Sequence, residues 1–257
     1  MTDIEHIVKA ARAGGEVIRN YFGASLNIAQ KSSVSDYQTQ ADLESEAAIL
    51  ASLERDFPTH SIFSEERGSI DKKSDFLFVI DPLDGTNNFV LGLPTFCVSI
   101  GLFYKREAIA AVIYQPMLGH VYVAEKGQGA HCDGKKLSVS GEKDIARATL
   151  ASTCSYLTPQ RNFMDMNNRL LSLDPKRLLT TWAPTVDFCL LAAGRIESFA
   201  VLDCAWYDFA AGKLIAKEAG AMVTDWNGRP ETEDANNRFV VSNREEIHAK
   251  VIRALEM

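Results

Sequence analysis

The stretch Phe76-Leu77-Phe78-Val79-Ile80-Asp81-Pro82-Leu83-Asp84-Gly85-Thr86-Asn87-Asn88 passes abruptly from apolar to acidic. Phe76 to Ile80 form an unbroken apolar run, which suits a strand buried on both faces. The run stops at Asp81, Pro82 fixes a turn, and Asp84-Gly85 closes it. Two carboxylates three positions apart on a tight turn can point into one small volume, where they repel each other unless a cation neutralises them. All-oxygen ligation of this kind suits hard divalent ions such as Mg²⁺ or Mn²⁺ rather than zinc. Taken alone, Asp-Gly is a common turn dipeptide and Asp81 a strand terminator. Gly85-Thr86-Asn87-Asn88 adds a run of backbone N–H groups opening a short helix, a geometry that binds phosphate.

Working outward, Ser61-Ile62-Phe63 is a short apolar piece leading into Ser64-Glu65-Glu66-Arg67-Gly68. Before it, Ile4, Ile7, Val8, Ala11, Gly15, Ile18 and Phe22 share one stripe of an amphipathic helix over 4–22. A polar loop, Lys31 to Asp36, precedes a second helix capped by Thr39, with Leu43, Ala47 and Leu50 expected inward and Asp42 in its first turn. On the other side, 96–103, 108–114 and 120–124 read as a β meander. Strands follow at 149–152 and 196–201 and helices at 162–173, 185–193 and 209–219. Ser242-Asn243-Arg244-Glu245 reads as a capping box for a last helix. The sum is a mixed α and β chain with helices covering sheets.

The bulk numbers agree with a globular enzyme-sized unit: 257 residues, 46% hydrophobic and 24% charged. No apolar run approaches the roughly 18 residues a membrane span needs. Met1-Thr2-Asp3-Ile4-Glu5-His6 carries acids ahead of any apolar stretch, so a leader is not expected. Five scattered cysteines without a Cys-x-x-Cys pair suit reduced thiols in the cytoplasm. A net charge of −7 without a basic stripe argues against a nucleic-acid partner. The five histidines show no metal-ligand spacing and read as structural; Cys97, Cys189 and Cys204 read as core, and Trp182 and Trp226 as packing residues.

Asp42, Glu65, Asp81, Asp84 and Asp208 all sit at element ends rather than on solvent faces. Asp-Pro-Leu-Asp-Gly-Thr-Asn-Asn-Phe at 81–89 resembles the first signature of the inositol monophosphatase family. Glu65-Glu66 after a short strand looks like that family's acidic pair. Trp206-Tyr207-Asp208-Phe209-Ala210-Ala211-Gly212 is similar to its second signature, and Lys31-Ser32-Ser33 followed by Asp42 matches a family loop. Phosphoaspartate hydrolases are excluded by spacing, since their paired acids are separated by one residue and Asp81 and Asp84 by two.

The resemblance implies an α+β fold, a layered α-β-α-β-α sandwich of the inositol monophosphatase / fructose bisphosphatase type. It implies one catalytic unit over 1–257, with a half to about 145 carrying most metal ligands and a half from about 146 supplying the last ligand and substrate contacts. Two to three Mg²⁺ ions are implied per site, with Mn²⁺ able to substitute. Glu65, Asp81 and the Leu83 carbonyl would hold one; Asp81, Asp84 and Asp208 a second. Asp42 and Thr86 would orient and deprotonate the attacking water, beside a more weakly held metal near Glu65, and Asp84, Gly85, Thr86 and Asp208 would meet the phosphate or substrate. Lys31 stays open between a phosphate contact and a solvated charge, and Glu66 reads as a supporting residue. The implied activity is metal-dependent hydrolysis of a small phosphate monoester on a polyol, sugar or nucleotide, inositol monophosphate above all. A lithium-sensitive cytoplasmic homodimer is implied with it. Alternatives are a fructose 1,6-bisphosphatase, a 3′-phosphonucleotide phosphatase, or a regulatory relative that interacts with transcription machinery.

Three departures fall on the alcohol side. Trp182-Ala183-Pro184-Thr185 replaces a family Gly-Ser or Gly-Thr; Val201 stands where inositol-specific members carry glutamate, with Asp203 the nearest acid; and Tyr207 is inserted between Trp206 and Asp208.

Overall fold

Two sheets of different size organise the chain, and the helices fill the spaces around them. The computed structural model describes residues 3–24, 28–231 and 236–256; Met1 and Thr2, part of the stretch read for a leader, lie outside them. In chain order come α1 (Asp3–Tyr21), β1 (Ile28–Gln30), β2 (Tyr37–Thr39), α2 (Gln40–Asp56), β3 (Ser61–Ser64), β4 (Gly68–Ile70), β5 (Phe76–Asp84), α3 (Thr86–Val90), β6 (Cys97–Tyr104), β7 (Glu107–Gln115), β8 (His120–Glu125), β9 (Gly129–Cys132) and β10 (Lys135–Lys136). Then follow β11 (Thr149–Cys154), α4 (Gln160–Leu171), β12 (Arg177–Leu179), α5 (Pro184–Ala192), β13 (Ser198–Leu202), α6 (Ala210–Glu218), β14 (Met222–Asp225), β15 (Arg238–Ser242) and α7 (Glu245–Glu256).

The large sheet has the order β10-β9-β8-β7-β6-β5-β3-β4, and the smaller one β12-β11-β13-β15-β14. α1 and α2 lie on one face of the large sheet, through Ile7, Ala11, Ile49, Phe78 and Ile100. α5 and α6 fill the space between the sheets, where Phe188, Phe199, Phe209 and Phe239 meet. α4 and α7 cover the far face of the smaller sheet, around Leu150, Leu170, Val240 and Val251. The expected α-β-α-β-α layering is therefore present. No helix among the described residues is long and apolar enough to cross a membrane.

Thr39 caps α2 as expected, its hydroxyl accepting from the Ala41 amide at 3.1 Å while Asp42 accepts from the Thr39 amide at 2.8 Å. Of the inner face expected for α2, Leu50 is buried but Leu43 and Ala47 are not. Leu43 is 41% exposed and Ala47 is exposed, whereas Asp42, Ser45, Glu46 and Ile49 are buried. The helix turns its polar residues inward because they hold the chain around the site: the Ser45 hydroxyl donates to the Pro82 carbonyl at 2.8 Å. Ser242 does not cap α7. It ends β15, and its hydroxyl is shared with Ser198 at 2.8 Å and with the His248 ring at 2.9 Å.

Candidate active site

Residues three apart on a regular strand point to opposite faces, because side chains alternate with a period of two. β5 breaks that rule between Asp81 and Asp84. Asp81 pairs with Ser99 and Asp84 with Cys97, so β5 spends three steps where β6 spends two. This bulge inserts one residue, restores the lost alternation and lets both carboxylates serve one side. Asp81 Oδ1 accepts from the Leu83 amide at 3.0 Å, which tightens the bulge. Gly85 then adopts φ 93° and turns the chain into α3, placing Thr86 at its first position.

Asp208 arrives from the second half, on a short turn at Trp206–Asp208 between β13 and α6. Its Oδ2 accepts from the Ala205 amide at 2.8 Å. Thr185, at the start of α5, joins the two parts: its amide donates to Asp84 Oδ2 at 2.9 Å, and its hydroxyl to the Asp208 carbonyl at 3.0 Å. Cys97 Sγ adds a weaker donor to the same Asp84 oxygen at 3.5 Å.

Glu65 follows β3, on a turn organised by buried Glu46. One Glu46 oxygen accepts from the Ser64 hydroxyl and from the Glu66 and Arg67 amides. Lys31 reaches across from the loop between β1 and β2, donating to Glu65 at 2.8 Å and also to Glu66. Glu66 takes Gln38 on its other oxygen, so both of its oxygens are engaged. Glu65 keeps 15% of its side chain exposed, on the side that faces the cavity.

Glu65, Asp81, Leu83, Asp84, Gly85, Thr86, Asp208 and Lys31 all line one cavity of about 520 Å³. Asp42 stands behind this wall. Its Oδ1 accepts from the Thr86 hydroxyl at 2.9 Å and its Oδ2 from the Thr39 hydroxyl at 2.6 Å, and the Thr86 hydroxyl also lies 3.0 Å from the Leu83 carbonyl. The cavity is also lined by Ser155, Tyr156, Trp182, Asp203, Tyr207 and Asn237. Trp182, read from sequence as a packing residue, thus borders the cavity, at φ 55° and stacked on Tyr156 at 5.7 Å. Val201 is fully buried in β13 and does not line the cavity. Asp203 takes the outward place and pairs with Arg238 through two contacts, of 2.5 and 3.2 Å.

The electrostatics of the acid wall are those of charges awaiting a counter-ion. Burial pushes Asp42 up to about 6, Glu65 up to about 7 and Asp84 up to about 7. Burial raises Asp81 and Asp208 well above the carboxylate range, with the charge on Glu65 and neighbouring aspartates adding to it. Burial works against the Lys31 ammonium, yet Glu65 and Glu66 together outweigh it and hold its pKa above the ordinary lysine value. One lysine does not balance five carboxylates. Oxygen donors in this density, with the Leu83 carbonyl beside them, fit hard divalent cations.

A pH dependence follows. In the metal-free protein these acids hold protons that the unfolded chain has already released between about pH 4 and pH 7. Folding stability from the group is therefore full below about pH 4 and is lost as pH rises through about 7. Melting in EDTA is expected to be higher at pH 5.5 than at pH 8. At one Mg²⁺ concentration, set a hundredfold above the Kd at pH 8, Mg²⁺ is expected to stabilise by about 2.7 kcal/mol at pH 8 and by less at pH 5.5. Equal Mg²⁺ shifts at the two pH values would contradict this.

Comparison with known proteins gives a consistent picture. The family model described as "Inositol monophosphatase family" matches residues 2–257. A Pasteurella multocida protein named Nus factor SuhB is 36% identical over 86% of this chain and 84% of its own length. The crystal structure of extragenic suppressor protein suhB from Bartonella henselae superposes with a TM-score of 0.91 at 30% identity, covering 98% of this chain and 97% of that one. An IMPase from Thermotoga maritima superposes with a TM-score of 0.89 at 28% identity, covering 100% of this chain and 97% of that one.

Proposed function

From the premise that this chain belongs to the inositol monophosphatase family, we propose that it hydrolyses a small phosphate monoester, with inositol monophosphate as the leading substrate, using Mg²⁺ bound at the acid wall. The observation that carries this reading is the convergence of Glu65, Asp81, Asp84 and Asp208 on one cavity beside Gly85 and Thr86. Glu65, Asp81 and the Leu83 carbonyl would hold one ion, and Asp81, Asp84 and Asp208 another. Bound divalent cations supply an acidified water and neutralise the leaving alkoxide. The protein's own residues do the rest. Thr86 Oγ1 accepts from the attacking water and passes its own proton to Asp42 Oδ1, 2.9 Å away. Asp42, raised to about 6, is a base matched to neutral pH. The Gly85 and Thr86 amides bind phosphate oxygens, and no side chain becomes covalently attached.

The remaining lining of the cavity receives the alcohol. Tyr156, Trp182, Asp203 and Asn237 give it both a flat apolar surface and hydroxyl partners. Fructose 1,6-bisphosphate and a 3′-phosphonucleotide are therefore tested beside inositol 1-phosphate. Phosphate release with Mg²⁺ that stops in EDTA is expected, with millimolar-range Li⁺ inhibiting. EDTA-resistant release would refute the metal mechanism, and no release from any ester would refute the enzymatic reading. The relatives named Nus factor SuhB favour a second reading, a partner in the transcription machinery. Pull-down of a stoichiometric macromolecular partner would support it.

A further inference from the structure

We propose that His120, Cys132 and Asp133 form a second metal site, selective for a borderline divalent cation such as Zn²⁺ and separate from the carboxylate cavity. The register of β8 and β9 brings them together: Tyr122 lies opposite Cys132, and His120, two residues before Tyr122, shares its face. Asp133 leaves the extended conformation at φ 49° just past β9, and its Oδ2 lies 2.7 Å from His120 Nδ1 and 3.8 Å from Cys132 Sγ. The other carboxylate oxygen accepts from the Val121 amide at 2.9 Å, which fixes the group in place. One ligand atom from each residue falls within 4.8 Å of the others.

Tetrahedral zinc holds such donors roughly 3.3–3.8 Å apart, given bonds of about 2.0–2.3 Å. The imidazole and carboxylate must therefore open by about half an ångström, while the thiol stands 3.8 Å from the carboxylate oxygen and within 4.8 Å of the imidazole. The cation takes the imidazole as its neutral form and the thiol as thiolate, so uptake releases the Cys132 proton to solvent. An exposed His–Asp pair alone is an ordinary surface contact. The thiol changes its chemistry. Thiolate and imidazole select zinc-like ions over Mg²⁺, whereas the carboxylate wall prefers the reverse.

All three residues border a cavity of about 650 Å³ flanked by Phe96, Leu137 and Leu190, and none of its lining residues lines the carboxylate cavity. The fourth coordination position is open to water or a ligand in that space. Sequence spacing did not signal the site, since its donors come from adjacent strands and one histidine stands alone in its segment.

The test uses the full chain, stripped with chelator, held in excess Mg²⁺ and titrated with Co²⁺ as the spectroscopic probe. A thiolate-to-cobalt charge-transfer band in the near ultraviolet is expected, saturating at one equivalent per chain and displaced by Zn²⁺. Cys132→Ser should abolish it, and His120→Ala should weaken Co²⁺ binding by at least about 100-fold. Asp81→Asn should leave it intact, which separates it from any signal arising at Cys97 beside Asp84. Absence of the band, or its survival in Cys132→Ser, overturns the proposal. On the unmutated chain, Zn²⁺ but not Mg²⁺ should protect Cys132 from alkylation, read by mass spectrometry; unprotected alkylation at saturating Zn²⁺ overturns it equally.

Discussion

Asp81→Asn is expected to cut kcat by roughly 1,000-fold or more and, at the same time, to make the metal-free protein more stable. The two effects have one cause. Asp81 is 2% exposed among other acids, and its pKa is raised by burial and then by Glu65, Asp84 and Asp208. Its ionisation therefore opposes folding, and asparagine removes that charge without changing the side chain's size. The asparagine oxygen still accepts from the Leu83 amide, so the bulge has no reason to open. Catalysis loses the carboxylate shared by both proposed metal positions. Melting curves at pH 8 in EDTA should place the variant above the parent, and Mg²⁺ should stabilise it less. A variant that melts lower in EDTA yet gains as much from Mg²⁺ would mean that Asp81 is a packing residue.

Gly85→Ala is expected to lower stability by about 2–5 kcal/mol, combining a left-handed backbone with overpacking. A Cβ at Gly85 would lie 2.9 Å from the Thr95 carbonyl oxygen, 3.1 Å from Ala183 and 3.2 Å from Phe96. Two of those neighbours are on the strand side and one belongs to the segment leading into α5, so relief in one direction worsens contact in the other. Gly92 is the matched control. Its φ is 75° and a Cβ there meets nothing within 4 Å, so Gly92→Ala should cost only the backbone term, about 1–2 kcal/mol. Denaturant midpoints decide the matter. If the two variants unfold alike, close packing around the turn is energetically idle.

Where local pattern matched local structure, the reading succeeded. The unbroken apolar run at 76–80 became the first five residues of β5, the meander became β6 to β8, and Thr39 caps α2. Misses occurred where a residue's partner lies far along the chain. α2 looked as if Leu43 should face inward, but Glu46 and Ser45 are turned inward to hold residues 64–67 and Pro82. Ser242 matched a capping pattern, yet its hydroxyl is occupied by Ser198 across the sheet and by His248. Trp182 carried no signal of a cavity position, because its place depends on a positive φ and on Tyr156 stacking beside it. The short strands β12, β14 and β15 were not read, being pieces of three to five residues specified mainly by pairing: β12 with β11, β15 with β13, and β14 with β15.

The order of elements, the acidic turn after a buried strand and the excess of carboxylates at element ends were determined by sequence alone, since periodicity, turn chemistry and burial preference act over a few residues. Tertiary structure decided which acids share a cavity. A one-residue bulge turns Asp81 and Asp84 to the same side, Thr185 ties Asp84 to Asp208, and Lys31 is carried onto Glu65. Those meetings depend on sheet register and layer packing, which couple residues as many as 101 positions apart and leave no trace in local composition.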